Sequence, residues 1–114
     1  MDKFTEAYVD CALWSTNDDN GDPLDDNYGY GDIDPDTLAE MISDCLKFQE
    51  ENADDIDGLD EQAGNDFWLN RNGHGCGFWD GDWPEEEGNR LDEASEVFGS
   101  YDLYVGDSGK VHSL

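Results

Sequence analysis

Carboxylates are the most abundant reactive groups in this chain. Among its 114 residues, 31 are Asp or Glu and five are Lys or Arg, so the formal net charge at pH 7 is -26. Asp36, Glu40 and Asp44 recur at every fourth position, which on a helix places neighbouring carboxylates about 6 Å apart. Like charges at this spacing destabilise a helix by about a few tenths of a kcal/mol per pair. The row therefore indicates a surface that carries negative charge at a cost to the stability of the helix.

The size of the charge invites a comparison with nucleic acid. A compact chain of this length is expected to have a radius of gyration of roughly 13 Å and a long dimension of about 35 to 40 Å. A DNA duplex of that length carries roughly 20 to 24 negative charges. A surface so acidic repels nucleic acid and anionic membranes, and it favours a basic protein partner.

A sequence rich in Asp and Asn could also bind calcium. The EF-hand loop needs oxygen ligands at positions one, three, five and twelve, and a glycine at position six. Placing Gly21 at position six puts Thr16 at position one, and placing Gly58 there puts Ala53 at one and Gly64 at twelve. Both registers fail, so we expect no dedicated calcium site.

Zinc binding and nucleophilic catalysis would both require the cysteines. A zinc site would have to combine Cys11, Cys45, Cys76 and His74, but His74 and Cys76 are too close in sequence to form the usual knuckle. Asp66, His74 and Cys76 could be arranged as a nucleophile with its base, yet no nucleophile elbow, phosphate loop or spaced acid pair accompanies them. We therefore expect buried thiols, no cofactor and no enzymatic activity.

Three helices are predicted to position the carboxylates. The first covers residues 2–15, with a strand as its alternative because its aromatic and β-branched residues favour either state. The second begins with Asp34 as its N-cap and Pro35 in the first turn, and it continues to about Asn52. The third covers about residues 85–98. Acidic loops are expected over residues 16–33 and 53–65, between the predicted elements.

Two β-hairpins complete the prediction. The densest aromatic stretch, DFWLNRNGHGCGFWD, contains Asn72-Gly73, which is typical of a two-residue hairpin turn. A second hairpin is expected over residues 101–112. The predicted fold is a single α+β domain, residues 1–114, with a small antiparallel sheet of two hairpins packed against about three helices in the order ααββαββ.

The register of the first hairpin would separate its side chains onto two faces. One face is predicted to enter the core, and the other would hold two indoles above glycines. Either a helix covers these indoles as part of the core, or they stay partly exposed and anchor a protein partner. The core face comprises Phe67, Leu69, Cys76 and Phe78, and the indoles are those of Trp68 and Trp79.

The sequence also resembles a known family. FWLNRNGHGCGFWD, and RLDEASEVFGSYDLYVGDSGKV after it, resemble a family of small acidic proteins encoded by phages and other mobile elements. FTEAYVDCALWST and DIDPDTL are similar to the same family, so the resemblance covers most of the chain. It implies a phage or mobile-element context and gives no mechanism.

Together these observations predict a DNA mimic with an anti-defence function, either anti-restriction or anti-CRISPR. It would occupy the DNA-binding groove of a basic host protein in the host cytoplasm, as a monomer or homodimer, without binding nucleic acid or membrane itself. The alternative is a halophilic or virion-associated structural protein whose acidity serves solubility. The predicted partner-binding residues are Asp36, Glu40, Asp44, Glu50, Glu51, Asp54, Asp55, Asp57, Trp68 and Trp79.

Overall fold

Helices dominate the fold. The computed structural model describes residues 1–73, 77–78 and 83–113. Two short 3-10 turns, Leu24–Asp26 and Tyr30–Asp32, connect the first two helices. In the described ranges the elements are α1 (Lys3–Ser15), α2 (Pro35–Ile56), α3 (Asp60–Arg71), α4 (Glu85–Glu96), β1 (Leu103–Val105) and β2 (Val111–Ser113).

The first predicted helix is confirmed, and the strand given as its alternative is wrong. Asp2 caps α1, because its Oδ1 accepts a hydrogen bond from the Thr5 backbone N–H at 2.8 Å. Phe4, Tyr8 and Cys11 are buried at spacings of three and four residues. Trp14 at the end of the helix is 50% exposed and lies outside this stripe.

The second helix begins as predicted but ends later. Asp34 caps α2 by accepting from the Thr37 backbone N–H, and its own N–H donates to the carbonyl of Val111 in β2 at 2.8 Å. Asn52 has non-helical backbone angles (φ -128°, ψ 22°) and kinks the helix, which then continues to Ile56. Its side chain donates to the Phe48 carbonyl at 2.9 Å, which satisfies an acceptor next to the break. The predicted loop over residues 53–65 is therefore largely helical.

The first predicted hairpin is wrong. Residues 66–71 belong to α3, and Asn72-Gly73 ends this helix instead of turning a hairpin. Gly73 has a φ of +66°, the positive value expected of that dipeptide, but here it terminates a helix. The order ααββαββ is accordingly replaced by four helices and one two-stranded sheet among the described residues. Cys76 and Trp79 lie outside the described ranges.

The last helix and the second hairpin occur where they were predicted. Leu91 of α4 is buried, whereas Val97, just after the end of the helix, is 86% exposed. In the sheet, β1 and β2 run antiparallel, with Val105 opposite Val111. Ser113 in β2 donates its backbone N–H to the Thr37 hydroxyl at 3.2 Å, so the sheet packs against the start of α2.

The centre of the core is a set of aromatic rings around α3. Phe67 stacks on Phe48 of α2 with ring centroids 4.2 Å apart, and it also contacts Tyr8 of α1 at 5.3 Å. Phe78 also stacks on Phe48, with ring centroids 5.7 Å apart. Residues 66–71 are all buried, so the second half of α3 is enclosed on every side, whereas Asp60 and Glu61 in its first turn are exposed. Enclosure explains why this half lacks the solvent-facing side that would have identified it as an amphipathic helix.

The backbones of α1 and α3 approach each other closely at Gly64. A Cβ built on Gly64 would lie 2.0 Å from the carbonyl oxygen of Phe4. No side chain can occupy this position unless the two helices move apart. Glycine is therefore required here for space, while its backbone angles are those of an ordinary helix.

We expect Gly64→Ala to destabilise the fold by about 1 to 3 kcal/mol or more, because the new methyl group overpacks a contact between two backbones. In an unconstrained helix the same change would stabilise by about 1 kcal/mol. Urea unfolding followed by circular dichroism measures the difference. Gly31→Ala is the matched control, because a Cβ at Gly31 meets no atom within 4 Å. Equal stability of the two variants would contradict the contact.

Candidate functional site

Arg71 is a buried cation at the end of α3 that joins three other parts of the chain. Its side chain is 2% exposed. The guanidinium donates to the Tyr8 hydroxyl at 2.9 Å and to Asp44 Oδ2 at 3.0 Å. It also donates to the carbonyls of Phe98 at 3.0 Å and Gly99 at 2.8 Å. Arg71 thereby ties α3 to α1, to α2 and to the segment that follows α4.

Aromatic rings enclose the same guanidinium. Its central carbon lies 5.2 to 5.6 Å from three ring centroids, within the range of cation–π attraction. Burial raises the pKa of the Tyr8 hydroxyl, which therefore stays protonated. The three rings belong to Phe67, Phe98 and Tyr101.

Three further polar side chains of α3 connect it to its neighbours. Asp66 is buried and accepts from the Trp83 indole N–H at 2.8 Å. Asn70 donates to Asp92 of α4 at 2.9 Å and accepts from the Phe78 backbone N–H at 3.2 Å. The Trp68 indole N–H, in turn, donates to the Ser15 hydroxyl at 2.8 Å. Side chains of α3 thus bind α1, α4 and the residues near Phe78 and Trp83.

We expect Arg71→Met to destabilise the fold by about 3 to 5 kcal/mol, because it removes one partner of a buried ion pair and leaves Tyr8 and two carbonyls without their donor. Urea unfolding at constant ionic strength measures the loss. Arg90→Met is the matched control, since Arg90 has an exposed side chain, and it should cost much less. A loss no greater than that of the control would show that Arg71 does not hold the core together.

Arg71 also changes the predicted row of carboxylates on α2. Asp44 is half-buried against Arg71, so it is not an unpaired member of the row. Glu40 is exposed and accepts from the Tyr101 hydroxyl at 3.3 Å and the Ser113 hydroxyl at 3.5 Å. Asp36 is fully exposed. The expectation of an unrelieved row is therefore wrong for Asp44, because the pairing cation comes from a helix that is distant in sequence.

Most carboxylates nevertheless face solvent. Of the 29 that the structure describes, 21 are exposed, seven are half-buried and only Asp66 is buried. Within the same residues, only Asp44, Asp55 and Glu87 contact Lys or Arg in an ion pair, and Asp34 lies 3.9 Å from the His112 ring. The surface therefore carries its negative charge largely without neutralisation by neighbouring side chains.

The exposed carboxylates are distributed over an elongated body. The principal-axis extents are 43 × 24 × 22 Å. Exposed carboxylates occur on α1, α2, α3 and α4 and in the loops between them, including Glu6, Asp26, Asp60, Glu93 and Asp107. All of the carboxylates predicted to bind a partner lie between Asp36 and Asp57, so the exposed carboxylates of the other helices were not predicted as part of the site. Glu6 and Asp10 on α1 have the same four-residue spacing as the row on α2.

The predicted partner-binding residues divide by exposure. Trp68 is 2% exposed, so it belongs to the core and is not available to bind a partner as predicted, and Trp79 is outside the described residues. Asp44 and Asp55 are half-buried, each in an ion pair with an arginine. The exposed members, all on α2 or just after it, are Asp36, Glu40, Glu50, Glu51, Asp54 and Asp57.

Carboxylates on both sides of the kink at Asn52 line a groove together with Arg90. Arg90 donates to both oxygens of Asp55, at 2.7 and 3.0 Å, and to Glu87 at 3.4 Å. The hydrogen bonds from Arg90 lower the pKa of the Asp55 carboxyl. This pair clamps the last turn of α2 to α4. The acidic side chains of the groove are Glu50, Glu51, Asp54 and Asp55.

We expect Asp55→Asn to lower stability at neutral pH and to make no difference in strong acid. The folded-state pKa of Asp55 lies below its ordinary value of 3.8, so its contribution is fully present above that value and is lost as the pH falls through the folded-state pKa. Thermal unfolding of both proteins from pH 7 to pH 2 measures the difference. Asp57→Asn is the charge-matched control, and an equal effect of that change would contradict the clamp.

Metal binding finds no support in the described ranges. No group of three His, Cys, Asp or Glu side chains there is arranged to hold a metal ion. Cys11 and Cys45 are buried, and burial raises the pKa of the Cys45 thiol, which disfavours the thiolate that binds metals. Cys76 and His74, the other members of the zinc hypothesis, lie outside the described ranges.

Neither a membrane-spanning helix nor a known relative points to a function. None of the helices in the described part of the chain is long and apolar enough to span a bilayer. Comparisons of the chain with protein-family models, with curated proteins and with solved structures give no match. Charge, shape and exposed side chains are therefore the observations from which a function is inferred.

Proposed function

We propose that this chain is a non-enzymatic DNA mimic that blocks the DNA-binding groove of a basic protein. The observation that carries the proposal is the agreement of charge with length. A duplex segment 43 Å long holds about 25 negative charges. The chain has a long dimension of 43 Å and a formal net charge of -26.

The shape and the spread of the charge support the same function. The two short dimensions, 24 and 22 Å, are nearly equal, so the body approximates a short rod. Exposed carboxylates occur on all four helices, so a groove that encloses the rod would meet negative charge on several sides. A protein that is acidic only to bind one small cation would not need this distribution.

Rigidity favours the proposal as well. The six exposed carboxylates of the predicted partner-binding set lie on α2 or immediately after it. The position of α2 is fixed by the ion pair with Arg71, by the hydrogen bond from Asp34 to β2 and by the stacking of Phe48 on Phe67. Carboxylates held on a rigid element lose less conformational entropy on binding than the same groups on a mobile tail. The stable core thus serves to present phosphate-like charges in fixed positions.

The mechanism is competitive occlusion. Carboxylates stand in for phosphates and pair with the Lys and Arg side chains that normally contact the DNA backbone. The fields of the two proteins steer their association, so binding is fast and weakens steeply as salt is added. Given the resemblance to phage proteins, we propose a host restriction enzyme or CRISPR effector as the target and the host cytoplasm as the site of action.

The proposal predicts that duplex DNA and this chain exclude each other from the target. The immobilised chain should capture a DNA-binding protein from host lysate at low salt, and duplex DNA added at constant ionic strength should release it. Increasing concentrations of the chain should then displace labelled duplex from the purified target. Release that is insensitive to DNA would contradict mimicry, and a chain that folds only in molar salt would favour the halophilic alternative.

Two variants of equal charge test which surface is used. Neutralising five exposed residues at the α2 face should weaken displacement of the duplex at least about fivefold, since each exposed pair contributes about 0.2 to 1 kcal/mol and five pairs contribute about 1 kcal/mol or more. The control, with five neutralised residues outside α2, should weaken it less. The first set is Asp36, Glu50, Glu51, Asp54 and Asp57, and the second is Asp19, Asp22, Asp25, Asp26 and Asp107. Equal losses would show that binding depends on exposed carboxylates over the whole surface and not on those of α2 in particular.

A further inference from the structure

A groove with apolar walls lies between the kink of α2 and the end of α4. It has a volume of about 330 Å³. Ala94 and Phe98 are half-buried in its wall, and Val97 at its edge is 86% exposed. The other exposed large hydrophobic residues of the described chain are between 42% and 53% exposed. The lining residues are Lys47, Glu51, Asn52, Ala94, Val97 and Phe98.

Local backbone geometry explains why the groove is open. The kink at Asn52 interrupts the regular path of α2 at the groove. On the other wall, α4 ends at Glu96, and the chain reverses through Gly99, whose φ is +72°. Val97 and Phe98 follow the last residue of α4, and only Phe98 turns toward the core, where its ring contacts Phe67 at 5.1 Å.

The apolar groove is continuous with the acidic groove described above. Glu51 and Asn52 line both of them. Arg90 does not cancel the acidity, because its guanidinium is already engaged by Asp55 and Glu87. Lys47, the other cation at the site, lies 6.0 Å from the centroid of the Phe98 ring. An apolar surface and a set of exposed carboxylates therefore occur side by side.

We propose that this groove receives an apolar side chain carried on a Lys- or Arg-rich segment of the target protein. The inference rests on the proposed function and deepens it, because it names the contact by which one basic protein is distinguished from others. The apolar side chain would lie against Ala94, Val97 and Phe98, while the flanking cations would pair with Glu50, Glu51 and Asp54. Phosphates of DNA offer no equivalent of the apolar contact.

Charge complementarity selects a basic segment over other occupants of the groove. A second copy of the chain would bring another charge of -26 to an acidic surface, which opposes association. Nucleic acid and anionic membranes are repelled for the same reason. A basic segment is attracted, and an apolar side chain enclosed at the centre of such a contact commonly supplies much of its affinity.

Two arginine-rich peptides test the inference directly. One has a single central Leu, and in its twin Gly replaces that Leu. We expect the Leu peptide to bind the wild-type chain about tenfold more tightly, since one enclosed aliphatic side chain contributes at least that factor. Titration calorimetry at two salt concentrations measures both affinities, and amide chemical shifts should change at residues 94–98.

Variants locate the contact. Val97→Ser removes an apolar side chain that contributes little to the fold, and Ala94→Gln places a longer side chain in the groove wall; each should reduce the advantage of the Leu peptide to about twofold or less. Trp14→Ser is the matched control, because it removes an exposed apolar side chain elsewhere, and it should preserve the advantage. Circular dichroism confirms that each variant is folded.

The possible results separate this inference from the proposed function. Equal, strongly salt-dependent binding of the two peptides to the wild type would overturn the groove and leave the DNA mimic in place. A Leu advantage that survives both groove variants would also overturn the groove. If neither peptide binds at low salt, both proposals fail. Self-association in sedimentation experiments that Val97→Ser abolishes would assign the groove to a second copy and overturn the proposed occupant.

Discussion

Arg71 places a positive charge inside a chain whose surface is almost entirely negative. Four hydrogen-bond acceptors and three aromatic rings surround this guanidinium, and they come from α1, α2, α3 and the segment between α4 and β1. A buried cation is costly unless it is paired and hydrogen-bonded, and here Asp44 supplies the paired charge and all three nitrogens of the guanidinium donate hydrogen bonds. The arrangement fixes how the helices meet, because each partner is satisfied only in one relative position.

The acidic surface and the aromatic core oppose each other energetically. Unpaired carboxylates repel one another and destabilise any compact state. The interior offsets this repulsion with stacked rings such as Phe48 and Phe67, with the close backbone contact at Gly64 and with buried polar side chains of α3 that are hydrogen-bonded. A strongly acidic surface is thus maintained by an interior with few carboxylates.

Local signals in the sequence predicted the parts of the fold that depend on local chemistry. Asp34 and Pro35 mark the start of α2, and the glycine-containing turn between β1 and β2 marks the C-terminal hairpin. The α3 segment could not be assigned in this way, because Asn72-Gly73 suits a helix end as well as a hairpin turn and because its second half, residues 66–71, is buried on all sides and has no solvent-facing stripe. Ion pairs between residues distant in sequence could not be predicted either, because nothing near Asp44 in the sequence indicates that Arg71 neutralises it. The exposed carboxylates after Phe48 were predictable as a group, whereas the apolar groove beside them depends on where α4 ends.

The break in α2 at Asn52 changes the direction in which the carboxylates of this helix are arranged along the surface. On a straight helix, carboxylates at every fourth position follow one line, whereas the phosphates of a duplex wind around an axis. Because α2 changes course at Asn52, Asp36 and Glu40 lie along one segment, and Asp54 and Asp57 belong to or follow another. The track of negative charge therefore bends as it crosses the molecule.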